Sequence, residues 1–278
     1  MSTLTATRQA TAWRAAPVGV IAASLFLLLI ITAAITPTLF SMYDPLKADA
    51  AASLQPPSAE HWFGTDQAGR DVFARVVHGA RYSLVVGFGA TLLALMVGII
   101  IGVIAGSAPR AVDSVLSRVI EIVMAFPEFL LALVVIAVIG AGETSLLIAV
   151  SVAAIPAYAR VARAQTLLVR RSGYVRAATA LGVPRFRSTI RHIVPNALGP
   201  LLVMGTIGVG TAIVAAAGLS FLGMGPQPPT PEWGLILSDG RNFLATAWWI
   251  AVFPGVAITA TVIATSTVGR FLRQRGQS

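Results

Sequence analysis

The sequence contains no cysteine and a single lysine. Without thiols it can build neither a disulfide framework nor a thiolate metal site. The lysine, Lys47, sits in Pro45-Leu46-Lys47, so no G-x-x-x-x-G-K-[ST] phosphate loop exists, and any nucleotide-driven work would need a site on another chain. Charge is scarce as well. Only 11% of the 278 residues are charged while 56% are hydrophobic, far from the balance of a soluble domain, and an integral membrane protein follows. His61, Asp66 and Asp71 could in principle group around a metal or act as acid and base. Arginines stand beside the carboxylates and no nucleophile is near, so neither a catalytic nor a metal site is expected. Acids are missing altogether between Glu143 and Glu232. The net charge of +9 therefore reads as arginine placement around a membrane rather than a nucleic-acid surface.

Six apolar runs read as spans: 18–35, 84–105, 119–139, 146–161, 198–218 and 247–268. The first would be about 27 Å long as a helix, enough to cross the hydrocarbon core. It exceeds the roughly 7–15 residues of a cleaved signal's apolar region and is read as a retained helix. The fourth is short, and its continuation carries Arg160 and Arg163. With the amino terminus in the cytoplasm, fifteen of the twenty cations fall inside, among them Arg8, Arg14 and the eight arginines from Arg160 to Arg191. Lys47, Arg70, Arg75, Arg81 and Arg241 fall outside with eight of the eleven acids. The positive-inside rule selects this orientation, with both termini cytoplasmic and part of the arginine set facing membrane lipid. The expected organisation is a cytoplasmic tail (1–17), a first transmembrane helix (18–36), an external linker with an amphipathic segment (37–83) and a five-helix core (84–269). That core carries a cytoplasmic loop (174–196) and an external loop (219–246), and a cytoplasmic tail (270–278) follows it.

Local patterns add detail. Thr65 or Asp66 is placed to cap a short helix whose Val72, Phe73, Val76 and Val77 would lie at the interface, with Arg70, Asp71 and Arg75 facing water. The second span carries Ala90, Ala94, Gly98, Gly102 and Gly106 at four-residue spacing, a smooth face for a helix of this chain or of a partner. Glu121 follows Arg118 by one turn and should pair with it. Pro127 should kink the third span and is a candidate hinge, a fixed bend being the alternative. Glu128, beside it, is an acid inside an apolar run, a candidate pathway or ion-pair residue. Four prolines and three glycines between Leu219 and Gly234 forbid a continuous helix and predict an ordered external loop or re-entrant hairpin. Trp233, Trp248 and Trp249 would mark the outer headgroup level.

From Tyr174 to Asn196 the chain is basic and lies between two apolar runs. Tyr174, Ala177, Ala178 and Leu181 fall at i, i+3, i+4 and i+7, which predicts a helix with a shallow, small-residue stripe that Gly182 ends. Pro184 suits the first turn of a second helix bearing Phe186, Ile190 and Ile193, before Pro195 and Asn196 begin a new segment. Alanines let another backbone come close, as a knob entering a partner's groove requires.

The spacing Ala177-Ala178-x3-Gly182-x9-His192-x-Val194-Pro195 resembles the EAA loop of the membrane subunits of ATP-binding-cassette importers. Tyr174-Val175-x-Ala177-Ala178 with Arg191-His192-Ile193-x-Pro195-Asn196 resembles the C-type permease subunit of dipeptide, oligopeptide and nickel importers. The motif's name-giving glutamate is Arg176 here. His61-x-Phe63-Gly64-Thr65-Asp66-x-x-Gly69-Arg70-Asp71 and the run from Leu219-Ser220-Phe221-Leu222-Gly223 through Trp233-Gly234 to Gly240-Arg241 resemble two further signatures of the same subunits. The likeness covers most of the chain from His61 onward.

The resemblance implies an all-α integral membrane protein with six transmembrane helices in the type I ABC importer permease fold, working by alternating access. It implies as partners a homologous B-type permease subunit, two ABC ATPase subunits, separate or fused, and an extracytoplasmic substrate-binding protein. ATP and Mg would be bound by the ATPases, and this chain would hold no cofactor, metal or nucleic acid and would not itself be an enzyme. The implied docking residues are Tyr174, Ala177, Ala178, Leu181, Gly182 and Phe186. Gly205 and Gly208 of the fifth span, with Phe221, Met224 and Trp233 of the outer loop, are implied to line the translocation path or its outer gate. Trp233 is otherwise an interfacial anchor. Di- or oligopeptides are the implied substrates, with nickel or another small solute as the alternative. A secondary transporter driven by an ion gradient is the rival class, and the spans offer it little beyond Glu121 and Glu128.

Overall fold

Long helices follow from long apolar runs. The computed structural model describes residues 17–275, and ten α-helices order them: α1 (Val18–Ile35), α2 (Val72–Ser107), α3 (Arg110–Met124), α4 (Glu128–Ile139), α5 (Glu143–Arg170), α6 (Gly173–Ala180), α7 (Arg185–Ser188), α8 (Val194–Phe221), α9 (Trp233–Gly240) and α10 (Trp249–Arg275). Five helices are long and apolar enough to cross a membrane: α1, α2, α5, the continuous helix that ends as α8, and α10. The pair α3 and α4 makes a sixth span only if taken together, because the two meet at 91°. Arg8 and Arg14 of the expected tail lie outside the described residues.

Four sequence expectations are corrected. The third span is broken rather than kinked: Pro127 takes an extended ψ of 127° at the start of α4. The cause lies in composition, since α3 carries Arg110, Asp113, Arg118 and Glu121 and suits an interface, whereas the apolar α4 is about 18 Å long and cannot cross alone. The fourth span does not stop at Val161. It runs on to Arg170 because two of its arginines find partners: Arg163 grips the Asp113 carboxylate with two N–H groups, and Arg170 donates to the Gly106 carbonyl at 3.1 Å. Pro195 does not begin a new segment either. A π turn over Thr189–Ile193 precedes it, with the Val194 N–H donating to the Thr189 carbonyl, and the helix continues into α8. Finally, the short amphipathic helix does not exist separately. Asp71, not Thr65 or Asp66, caps α2 by accepting from the Ala74 N–H at 2.7 Å, and that helix is one rod of about 54 Å.

Close packing of α2 on α5 centres the bundle. A Cβ at Gly102 would stand 2.4 Å from the Ala159 carbonyl oxygen and 2.5 Å from the Ala162 Cβ, so only glycine allows this approach. Gly98 lies as tightly against Tyr158, and Gly106 against Thr166. The small-residue face therefore packs within the chain. The helices α8 and α10 flank α2, while α1 rests on α2 and α10 with Ala33 alone of its residues buried.

Candidate functional site

At one end of the bundle α6 and α7 form a projecting knob. Its turn is set by Gly182, whose φ of +84° is the left-handed region glycine favours. The Gly182 N–H donates to the Thr179 carbonyl and the Val183 N–H to the Ala178 carbonyl at 3.1 Å each, closing the end of α6. Val175, Ser188 and Ile193 are buried and fasten the knob, and the Tyr174 and His192 rings meet edge-on with centroids 6.4 Å apart. The residues expected to dock lie together on the outside. Leu181 is 86% exposed and Phe186 78%; Tyr174, Ala177 and Gly182 are exposed and Ala178 half-buried. Apolar surface held out in this way marks a contact surface. A cleft of about 510 Å³ beside it is lined by Leu181, Gly182, Pro184, Arg187, Arg191 and His192.

The candidate path residues do not share one surface. Gly208 borders a small hollow with Glu128, Thr91, Tyr158 and Thr211. Gly205 borders a separate apolar groove of about 360 Å³ next to Leu27, Thr206 and Thr265. Phe221 closes α8 beneath the Arg241 guanidinium, 5.5 Å from its ring centre, and Met224 packs against the core of α4, α5 and α8. Pro127 is exposed at the break between α3 and α4. Arg118 and Glu121 pair as expected, at 3.1 Å, on an exposed face.

Trp233 is corrected outright as a headgroup anchor: it is fully enclosed, its indole N–H donating to the Val76 carbonyl at 2.8 Å. Trp249 is likewise buried, donating to the Thr65 carbonyl at 3.0 Å, and Trp248 remains exposed. The end of the bundle opposite the knob is a polar lock that sequence reasoning missed. Arg75, expected to face water, is 0% exposed and lies 3.2 Å from Asp66 and 3.7 Å from Asp239. Asp66 also accepts from the Ala68 and Arg70 N–H groups, and Asp71 pairs with His61 Nδ1 at 2.8 Å. Among the described residues no three His, Cys, Asp or Glu side chains come together as a metal site. Glu232 is buried and caps α9, accepting from the Gly234 and Leu235 N–H groups and the Ser83 hydroxyl. Burial pushes its carboxyl above the ordinary range, and those donors together with Ser220 pull it back. Burial likewise raises Asp239, against the pull of Arg75.

Residues 98–275 match the family described as binding-protein-dependent transport system inner membrane component. The dipeptide transport system permease protein of Alkalihalophilus pseudofirmus is 42% identical over 92% of this chain and 83% of its own length. A probable D,D-dipeptide transport system permease protein of Escherichia coli is 36% identical over 94% and 87%, and a glutathione transport system permease protein of Pectobacterium atrosepticum 37% over 91% and 84%. Among solved structures, an inward-facing MetNI methionine ABC transporter aligns with a TM-score of 0.59 at 18% identity, covering 72% of this chain and 95% of that one. At that identity the likeness shows the fold, that of a type I ABC importer permease.

Proposed function

Since this chain belongs to the inner membrane components of binding-protein-dependent transport systems, we propose that it moves di- or oligopeptides across the inner membrane as one half of an ATP-driven importer's permease. The substrate class follows the relatives, whose names specify dipeptides, D,D-dipeptides and glutathione, all with peptide or peptide-like bonds. A B-type permease subunit completes the path in this reading, two ABC ATPases supply ATP hydrolysis with Mg, and an extracytoplasmic binding protein delivers the peptide. Both termini and the knob lie on the cytoplasmic side, and the Arg75 lock on the other.

The observation that supports this most is the knob itself. Leu181 and Phe186 project from a rigid turn while Ala177 and Ala178 leave α6 thin enough to be gripped. The knob joins α5 on one side and α8 on the other, so a force on it moves two spans as rigid bodies. Tyr174, Ala177, Ala178, Leu181, Gly182 and Phe186 make the socket contact. The test is the purified assembly: di- and tripeptides with binding protein should stimulate its ATP hydrolysis. Ala178→Arg should leave the permease folded while separating hydrolysis from uptake. Normal uptake by that variant would overturn the docking assignment, and stimulation by nickel chelates alone would overturn the substrate.

A further inference from the structure

Glu128 is exposed at the start of α4 and borders a hollow with Tyr158 of α5. Tyr158, on the same hollow, is 15 residues along α5 from Glu143 and 12 from Arg170 (158 − 143 and 170 − 158), about 22 and 18 Å of helix. A carboxylate on an apolar helix packed against spans needs a partner or an aqueous path, and Glu128 has no ion-pair partner among the described residues. The hollow it shares with Thr91, Tyr158, Gly208 and Thr211 has about 20 Å³ of free volume, enough for one water-sized group. Tyr158 is 4% exposed, and its hydroxyl has no hydrogen-bond partner among the described residues. A Cβ at Gly208 would fall against that hydroxyl, so glycine is what seats it there. The Thr211 hydroxyl donates to the Gly208 carbonyl at 2.9 Å and keeps its own lone pairs free.

A water-sized group among a carboxylate, a phenol and a threonine oxygen must donate several hydrogen bonds, and a primary ammonium donates three. Glu128 and Thr211 also border a larger groove of about 350 Å³, otherwise walled by Phe129, Ala132, Val150 and other apolar side chains. That volume falls within the roughly 300–1,000 Å³ of small-ligand sites. We propose that Glu128 receives the protonated amino group of the peptide in transit, with Tyr158 and Thr211 as further acceptors and the apolar groove taking the adjoining side chain. The assignment rests on the peptide reading above. A carboxylate serving only to complement the amino end of α4 would leave transport untouched by its loss.

The test reconstitutes the intact importer with its binding protein in proteoliposomes and measures uptake of a labelled dipeptide with a free amino group per ATP hydrolysed. E128Q should lower that ratio by about tenfold or more, as loss of a charge-assisted contact predicts, with assembly and binding-protein-stimulated hydrolysis retained. E128D should recover part of it, and Y158F should lower it by a smaller factor. An E128Q ratio equal to wild type overturns the assignment. So does an E128Q subunit that no longer copurifies with its permease partner, since Glu128 would then be an inter-subunit ion pair. A wild-type complex that moves no peptide overturns the peptide reading and this assignment with it, whereas failure of the variants alone confines the error to Glu128.

Discussion

Among the described residues Arg75 is the largest charged side chain taken wholly out of water, and its burial is tolerable only because Asp66 and Asp239 sit at 3.2 and 3.7 Å. Arg75→Met keeps the length and removes the charge, leaving Asp239 without its counter-ion and Asp66 with only the more distant Arg70, at 3.8 Å. It should lose about 3–5 kcal/mol, read as a lower unfolding midpoint in detergent, and adding Asp66→Asn should restore part of it. Glu232 gives a pH signature of defined sign. Its carboxyl holds a proton more tightly folded than unfolded, so its contribution is full below the ordinary carboxylate range and is lost as pH rises through the raised folded value. Glu232→Gln has no such titration, so the wild-type midpoint minus the E232Q midpoint should increase as pH falls from about 8 to about 5. Neither group was legible beforehand. A segment with alternating arginine and aspartate reads as solvated, and nothing local in Arg70-Asp71-x3-Arg75 announces a counter-ion from α9.

At the level of elements the small residues of α2 were legible as a face, because four-residue spacing maps directly onto one side of a helix. What they pack against was missed, although Tyr158, Ala162 and Thr166 of α5 carry the same four-residue spacing and meet Gly98, Gly102 and Gly106 in turn. The structure supplies a matched pair of tests. Gly102→Ala sets a Cβ 2.4 Å from the Ala159 carbonyl oxygen, so α2 and α5 must separate, and expression and unfolding midpoint should both fall. Gly199→Ala meets nothing within 4 Å and should leave both near wild type. Equal behaviour of the two would show that α2 and α5 do not pack this closely in the membrane. The break at Pro127 was half legible: proline marked the site, but the swing to 91° comes from the contrast between a charged α3 and an apolar α4, a property of the whole segment. The first helix of the knob and its glycine turn were legible because they are set within a few residues of chain, whereas the second helix runs through a π turn into α8 and was not. Trp233 was misread, since its burial depends on a carbonyl of α2.

For the whole molecule the question is where the work of transport comes from. Ion-coupled carriers place titratable groups and paired broken helices at mid-membrane, one break in each structural half. Among the described residues only α3 and α4 form such a break, and no second one answers it from α8 or α10. Glu128 borders a hollow lined by Tyr158 of α5 and Thr211 of α8, the two spans to which the knob is joined. On the proposed docking, motion imposed on the knob reaches the hollow through α5 and α8. The polypeptide alone in liposomes should then accumulate no labelled dipeptide under an imposed proton or sodium gradient. Adding the partner permease, the ATPases, ATP and binding protein should produce uptake that stops when ATP is exhausted. Uphill accumulation by the lone chain would mean that Glu128 is an ion-coupling group and that the knob is incidental to transport.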